Sequence, residues 1–357
     1  MSRRHYIIPI FVPHQGCPHN CVFCNQNTIT GNENNAVNGQ FVINTVDKYL
    51  KTMDTENSII EISFFGGTFT AIDIEKQREL LAVAKNYKNK GQIDFIRLST
   101  RPDYINEFIL DNLKNYEVDI IELGVQSMDE YVLKMAGRGH TANDVYEASR
   151  RIKSYGFTLG HQIMPGLPGD DFQKDIYTAN EVLKLKPDIC RIYPALVIKD
   201  TPMEKMYLDN IYKPYSLHEA IDICKTIYGM FQSNNIKVIR IGLQPTDEIN
   251  VGKELVSGPF HPAFRELVQG SIYNDMITSV IPKNYEGYVS IEINSRDISK
   301  LYANKKSYFN SMENKFLGCK FTVDQNDNIN LENITIKINE CIKYLSLKDY
   351  LNDNYGF

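Results

Sequence analysis

Three cysteines near the N-terminus are the side chains of this sequence best suited to chemistry. Cys17, Cys21 and Cys24 follow the first predicted strand, with three and then two residues between them. Ferredoxin-type clusters take four thiolates, commonly in a C-x2-C-x2-C-x3-C-P run. Because no fourth cysteine lies nearby, the spacing predicts a [4Fe–4S] cluster that is held by three thiolates and keeps one iron open.

An iron with an open position predicts a second cofactor. The amine and carboxylate of S-adenosylmethionine (SAM) can chelate that iron, and one electron then splits the sulfonium into methionine and a 5′-deoxyadenosyl radical. In such a site the cofactors supply the chemistry, and the protein supplies position and excludes water. Phe23 lies between the last two cysteines, where we expect it to pack over the cluster or the adenine edge, unless it is ordinary core.

The elements that must position these residues follow from the hydrophobic pattern. Short β-branched or aromatic runs alternate with amphipathic helical stretches, which implies parallel βαβ units and a closed or partly closed α/β barrel. The active site of such a barrel lies at the C-terminal ends of its strands. The predicted strands are Tyr6–Phe11, Ile59–Phe65, Asp94–Ser99, Asp119–Val125, Phe157–Met164 and Ile189–Tyr193.

A structural zinc site is the alternative interpretation of the cysteines. Zinc would take His14 or His19 as a fourth ligand beside the three thiolates. The C-terminal end of the first barrel strand is an unusual place for a structural zinc site. The location therefore favours the cluster.

The alternation of strands and helices weakens after about residue 236, which predicts a smaller second domain. We predict a barrel domain at residues 1–245 and an α+β domain at residues 246–357. The predicted elements of this region are a strand at Ile236–Leu243, a helix at Pro262–Val280, strands at Glu286–Asn294, Phe316–Val323 and Asn333–Ile338, and a helical stretch near Ser299–Asn310.

Residues at the ends of the second and fourth strands suit the binding of SAM. Gly66 and Gly67 would let the backbone approach a ligand, and their carbonyls could accept hydrogen bonds from its ammonium group. Without a ligand they would form a simple turn. Gln126 could bind the ribose hydroxyls, and Arg138 could pair with the carboxylate of SAM. The alternative for Arg138 is a solvated surface position.

The ends of the fifth and sixth strands predict a substrate site of His161, Gln162, Arg191 and Tyr193. A stiff Pro-Gly-Leu-Pro-Gly turn follows the fifth strand and would hold Gln162 in the barrel mouth. His161 is a substrate contact or a satisfied core histidine. Arg191 and Tyr193 alternate with apolar neighbours, so they share one face. Facing inward, Arg191 would bind a polar ligand or form a buried ion pair.

Composition limits the class of protein. The formal net charge is −5 and the pI about 5.9, so we expect no broad nucleic-acid surface, although a local basic groove is compatible with these values. No apolar stretch approaches the length of a membrane span. Seven cysteines, of which only three are clustered, favour a reducing cytoplasm over a secreted disulfide framework.

Seven motifs in chain order resemble the radical SAM superfamily, and specifically the radical SAM half of the elongator catalytic subunit and its stand-alone bacterial relatives. The resemblance covers residues 5–245 and implies a partial (β/α)6 barrel with a cluster on the three cysteines. It also implies SAM contacts from the second to fourth strand ends: Gly66, Gly67, Thr68, Ser99, Gln126 and Arg138. The motifs are Cys17–Cys24, Gly66-Gly-Thr68, Ser99-Thr-Arg-Pro-Asp103, Glu122-Leu-Gly-Val-Gln-Ser127, Arg138-Gly-His-Thr141, Met164-Pro-Gly-Leu-Pro-Gly169 and Arg191-Ile-Tyr-Pro-Ala-Leu-Val-Ile198.

The elongator subunit acts on wobble uridine in transfer RNA, and this sequence departs from its pattern. The cysteine spacing is narrower, and neither an acetyltransferase domain nor a long basic N-terminal extension is expected. We therefore predict an enzyme that cleaves SAM reductively and abstracts a hydrogen from an unidentified substrate, with RNA as a candidate. Flavodoxin or ferredoxin would supply the electron.

Two alternatives to this function stay open. One is a porphyrin enzyme similar to oxygen-independent coproporphyrinogen III oxidase, in which the position of Gln162 is usually acidic. The other is a haem or cluster carrier without turnover.

Overall fold

The computed structural model describes residues 4–12, 17, 19–25, 37–243 and 253–356. The chain divides into two compact units, residues 1–214 with 245–257 and residues 215–244 with 258–357. The strand predicted at Ile236–Leu243 thus falls in the second unit. The predicted domain division at residue 245 stays a prediction. In the part of the chain that the structure describes, no helix is long and apolar enough to cross a membrane.

The first unit contains six parallel strands that pair in chain order, so that each strand neighbours the next one. Their side chains alternate between the two faces, as in any strand. One face carries fully buried apolar residues such as Ile8 and Ile62, against which the helices pack. The strands are β1 (Arg4–Val12), β2 (Ser58–Gly66), β3 (Phe95–Thr100), β4 (Ile120–Gln126), β5 (Thr158–Ile163) and β6 (Ile189–Ile192).

Every helix between these strands begins at a residue whose side chain accepts a hydrogen bond from a backbone N–H of the first turn. Such capping satisfies N–H groups that have no partner inside the helix. Thr141 and Asp144 form a reciprocal capping box. The helices are α1 (Gly39–Leu50), α2 (Ile74–Asn89), α3 (Glu107–Asn115), α4 (Glu130–Met135), α5 (Ala142–Ser154) and α6 (Phe172–Leu185).

Short elements complete the first unit. They are two 3-10 turns at Phe69–Ala71 and Pro102–Tyr104, a helix at Pro202–Leu208, and an antiparallel ribbon of Val197–Ile198 with Leu255–Ser257.

Three aspartates lock the N-terminal edge of the parallel sheet. Asp94, Asp119 and Asp188 each stand immediately before a strand. Each carboxylate accepts a hydrogen bond at 2.8 Å from the backbone N–H of one residue in the neighbouring strand. The backbone N–H of the aspartate donates in return to the carbonyl of that residue. The partner residues are Ile60, Ile96 and Leu159, respectively.

We predict that Asp94→Ala lowers the free energy of unfolding by about 1.5–3 kcal/mol, because the backbone N–H of Ile60 loses a charged acceptor. Asp353→Ala, at an exposed position of the last helix, is the control and should change stability by less than about 0.5 kcal/mol. Urea denaturation followed by circular dichroism measures both. Equal effects of the two substitutions would contradict the role of Asp94.

The second unit is an α+β arrangement. Its sheet has the strand order Cys319–Gln325, Gly287–Ile293, Asn333–Ile338 and Cys341–Ser346, and only the first pair is parallel. A further strand at Lys237–Ile241 also falls in this unit. The helices of the unit are Leu217–Ser233, Phe264–Val280, Ile298–Leu301, Ser307–Lys315 and Leu347–Tyr355.

The fold class predicted from the sequence is confirmed: a partial α/β barrel of parallel strands and a smaller α+β unit. The single helical stretch predicted near Ser299–Asn310 was wrong. Asn304, Lys305 and Lys306 have φ between +53° and +66°, and successive left-handed residues end a right-handed helix. They separate the helix Ile298–Leu301 from the helix Ser307–Lys315.

Candidate functional site

The loop that carries the three cysteines lies after β1, at the C-terminal end of the parallel sheet. Backbone hydrogen bonds hold it in place. Val22 donates to the carbonyl of Ala136 at 3.0 Å, and its own carbonyl accepts the N–H of Met203 at 2.8 Å. The N–H of Cys24 donates to the carbonyl of Cys21 at 3.1 Å. This hydrogen bond closes a tight turn between the two cysteines.

The three thiols differ in their surroundings. Cys21 is buried, whereas Cys17 and Cys24 are half-buried. The hydroxyl of Thr68 donates to the sulfur of Cys17 at 3.8 Å, so that a predicted cofactor residue contacts a predicted cluster ligand. Among the described residues no group of three His, Cys, Asp or Glu side chains is placed to hold a metal ion.

The histidines of the zinc alternative have different positions. His19 directs Nε2 towards Asp103 at 3.5 Å, and its ring lies against Gly139, where an added Cβ would come within 2.3 Å of it. His14 lies outside the described residues.

Two arginines converge on Cys21. Arg138 Nη1 lies 3.5 Å and Arg101 Nη1 lies 3.9 Å from the sulfur. Both arginines are buried, with exposed fractions of 6% and 3%, respectively. Arg101 forms a bidentate pair with Asp103 at 3.0 and 2.9 Å. We call the surroundings of Cys21, formed by Arg101, Arg138 and Asp103, the Cys21 corner. Because it contains two guanidinium groups and one carboxylate, this corner favours anionic groups such as thiolates.

The electrostatics of this corner extend to His140. Burial lowers the pKa of His140 to about 2, and the charges of Arg138 and Arg101 lower it in the same direction. Burial also lowers the pKa of Arg138, which the nearby Cys21 partly offsets. The imidazole of His140 is therefore neutral at physiological pH.

Packing and backbone conformation require glycine at position 66, the last residue of β2. Gly66 has φ +105°, and an added Cβ would lie 2.5 Å from the carbonyl oxygen of Val12. The N–H of Gly67 donates to the same carbonyl at 3.1 Å. These contacts fix the turn beside the end of β1 and explain why glycine occupies position 66, while a contact of either glycine with SAM stays a prediction.

A bulge at the end of β4 directs Gln126 towards the site. The register with β5 shifts between Gly124 and Gln126, and Gln126 has φ +67°. Its Oε1 accepts a hydrogen bond from Gln162 Nε2 at 3.4 Å. Gly124 accepts Arg138 Nη2 at 2.5 Å through its carbonyl. The bulge therefore brings Gln126, Arg138 and Gln162 together.

Ser99 and Phe23 occupy less specific positions. Ser99 is half-buried on β3, in register with Glu122 of β4. Phe23 packs against two groups of buried apolar side chains, one around Leu167 and one around Met203. Its contacts are those of ordinary core, and the roles of both residues stay predictions.

A chain of alternating charges crosses the face of the sheet opposite to the helices. Arg97 Nε lies 2.8 Å from Glu61, and its Nη1 lies 3.1 Å from Glu122. Arg191 Nε binds the same Glu122 oxygen at 2.8 Å. Burial alone would raise the pKa of Glu61, but hydrogen bonding to His5 and the charge of Arg97 lower it. The negative charges of the two carboxylates thus offset the positive charges of the two guanidiniums.

Arg191 ends this chain and leaves a donor free. Its Nη1 donates to the hydroxyl of Tyr193 at 3.1 Å, and its guanidinium lies 5.6 Å from the centre of the Phe65 ring. Within the described part of the chain Nη2 has no hydrogen-bond partner, although Arg191 is only 6% exposed. Gln162 stands opposite Arg191 in the strand register, so three of the four predicted substrate residues come together.

His161 does not join this group. Its Nε2 lies 2.9 Å from the hydroxyl of Ser149 on α5, on the helix-facing side of the sheet. Burial lowers the pKa of His161 to about 3. These contacts are those of the core histidine that the sequence left as an alternative.

Four charged residues of the site, Glu61, Arg97, Arg101 and Glu122, were not among the predicted site residues. Three of them interrupt apolar strand sequences, as Glu61 does between Ile60 and Ile62. A charge at an inward position of a buried strand is the signal that predicted Arg191, and it would have found these three. Arg101 follows its strand and carries no such signal.

We predict that Glu122→Ala lowers the free energy of unfolding by about 3–5 kcal/mol, because Arg191 loses its carboxylate and Arg97 one of two. Glu147→Ala is the matched control. Glu147 pairs with the exposed Arg150, and its loss should cost less than about 1 kcal/mol. Chemical denaturation gives both values, and a loss as small as the control's would show that the charge chain does not contribute to stability.

Two family models and several curated proteins match this chain. The model of the radical SAM superfamily matches residues 11–179, and that of the Radical_SAM C-terminal domain matches residues 187–274. The tRNA uridine(34) acetyltransferase of Methanocaldococcus jannaschii is 29% identical over 257 residues, which are 61% of this chain and 47% of that protein. Elongator complex protein 3 of Saccharomyces cerevisiae is 28% identical over 201 residues, 51% of this chain and 36% of that one.

A solved structure supports the fold. The archaeal Elp3 of Methanocaldococcus infernus, lacking its N-terminal residues, superposes with a TM-score of 0.61 at 23% identity over 79% of this chain and 65% of that chain. The chain spans about half or less of the length of the curated relatives it matches first.

Proposed function

Because the chain belongs to the radical SAM superfamily, we propose that it is an enzyme that cleaves SAM reductively at a [4Fe–4S] cluster and abstracts a hydrogen from its substrate. One observation carries the proposal. The three cysteines lie on a single loop at the C-terminal end of a parallel sheet, and the sulfur of one of them, Cys21, contacts two buried guanidinium groups. A cluster with three thiolate ligands is the group whose charge and ligand set suit this corner.

The residues divide the work by position. Cys17, Cys21 and Cys24 would hold the cluster, which when bound supplies the electron that splits SAM. Arg138 has an Nε without a partner among the described residues, and it would bind the SAM carboxylate. Gln126 would orient the ribose through its carboxamide. The glycine turn with Thr68, together with Ser99 and Phe23, would enclose the rest of SAM.

The substrate would lie over Gln162, Arg191 and Tyr193. These side chains offer a free guanidinium donor, an amide and a hydroxyl beside the Phe65 ring. The charges below them are balanced, so these side chains suit a neutral ring with hydrogen-bonding atoms better than a multiply charged group. RNA is the proposed source of such a ring, because relatives are named for action on transfer RNA uridine. A flavodoxin or ferredoxin in the cytoplasm is the proposed electron donor.

We expect the wild-type chain, purified anaerobically, to carry about four irons and four sulfides, and each of Cys17→Ala, Cys21→Ala and Cys24→Ala to abolish this content. The control is Cys341→Ala, an exposed free cysteine of the second unit, which should keep the cluster. Iron and sulfide analysis with visible absorption measures both. Stoichiometric zinc without iron after reconstitution would replace the proposal with the zinc alternative.

Gln162→Ala should leave uncoupled SAM cleavage intact and reduce substrate-dependent turnover by about 100-fold, because misplacement of the substrate acts on abstraction alone. Gln40→Ala, exposed on α1, is the control. Deuterium transfer from labelled RNA or metabolite pools into 5′-deoxyadenosine is followed by mass spectrometry. Loss of SAM binding in Gln162→Ala would assign Gln162 to the cofactor instead.

The same assay separates the substrate classes. If RNA is the substrate, its affinity falls with added salt because phosphate contacts release counterions. Transfer only from a porphyrin fraction would favour the porphyrin enzyme, and stoichiometric haem binding without SAM cleavage would favour the carrier.

A further inference from the structure

Arg101 is a buried, charged residue of the site to which the proposed function assigns neither SAM nor substrate. It stands between β3 and the 3-10 turn Pro102–Tyr104 and is 3% exposed. Its side chain reaches Cys21, which lies 80 residues away in the sequence. A buried guanidinium in this position is costly unless its donors meet acceptors.

The donors of Arg101 point in defined directions. Nε and Nη2 form the fork with Asp103 at 3.0 and 2.9 Å, and Nη2 also donates to the carbonyl of Arg138 at 2.5 Å. Nη1 then faces the sulfur of Cys21 at 3.9 Å. The fork with Asp103 therefore fixes the plane of the guanidinium with one nitrogen directed at the thiol.

Arg138 differs from Arg101 in this respect. Arg138 is anchored through Nη2 at the carbonyl of Gly124, and its Nε has no partner in the described part of the chain. It therefore keeps a donor for a ligand other than Cys21. In Arg101, by contrast, all three side-chain nitrogens are directed at Asp103, Cys21 or the carbonyl of Arg138.

On the basis of the proposed function, we propose that Arg101 is a positioning residue that donates an N–H to the cluster-bound sulfur of Cys21 and raises the reduction potential of the cluster. Hydrogen bonds to cluster sulfurs and the charge around a cluster set its potential. The reduced cluster carries one more negative charge than the oxidised one. A fixed positive donor at a ligand sulfur therefore stabilises the reduced form more.

The test uses the full chain, reconstituted anaerobically and studied without SAM. Wild type, Arg101→Gln and Arg101→Lys are titrated with dithionite at poised potentials, and the reduced cluster is measured by electron paramagnetic resonance. Arg101→Gln should lower the ratio of reduced to oxidised cluster about tenfold at a given potential, a shift of 59 mV for a one-electron couple. Arg101→Lys, which keeps the charge but loses the fork, should fall between the two.

Arg150→Gln is the matched control, because Arg150 is exposed on α5 and pairs with Glu147. It should leave the potential unchanged. A wild-type potential in an Arg101→Gln protein that assembles its cluster overturns the inference and leaves the proposed function standing. If the Arg101→Gln protein does not assemble its cluster, the Arg101→Lys protein provides the test. A wild-type potential in that variant likewise overturns the inference. A wild-type chain that assembles no cluster would instead overturn the proposed function.

Discussion

The structure depends on the burial of four alternating charges across one face of the parallel sheet. Glu61, Arg97, Glu122 and Arg191 come from four different strands, and each meets an opposite charge within about 3 Å. An unpaired charge in this position would be strongly destabilising. The register of the strands is therefore fixed by electrostatics on this face and by apolar packing on the other, since a one-residue slip would exchange the two faces.

The balance of charge changes towards the C-terminal ends of the strands. In the charge chain each guanidinium pairs with a carboxylate, whereas of the two guanidiniums at Cys21 Arg101 pairs with Asp103 and Arg138 contacts the sulfur and the carbonyl of Gly124. The sheet thus presents a neutral interior beside a positive corner. A ligand set that includes thiolates and a carboxylate suits the positive corner, and a neutral ring suits the end of the chain at Arg191. Under the proposed function, these two environments at one edge of the sheet would hold two chemically different groups, the cofactors and the substrate.

Much of the fold was predictable because its signals are local. All six barrel strands were predicted to within two residues at each end, since β-branched runs and capping residues act over a few positions. Helix α1, Gly39–Leu50, was missed, although Asn38 caps it and Val42 and Val46 lie on its buried face. Three successive left-handed residues at 304–306 could not be foreseen, because two of them are lysines, which rarely adopt that conformation.

The site was less predictable for a physical reason. Sequence alternation shows that Arg191 and Tyr193 share one face of their strand, but it cannot show that Glu122 of another strand binds Arg191. It also leaves His161 undecided, and only the contact with Ser149 places that ring on the helix side. Arg101 is the extreme case. It directly follows a strand, at a position where arginine is usually solvated. Its place in the site depends on its contact with Cys21, which lies on another loop. Its burial is settled by tertiary structure, because only the assembled sheet brings Asp103, the carbonyl of Arg138 and the thiol of Cys21 around one guanidinium.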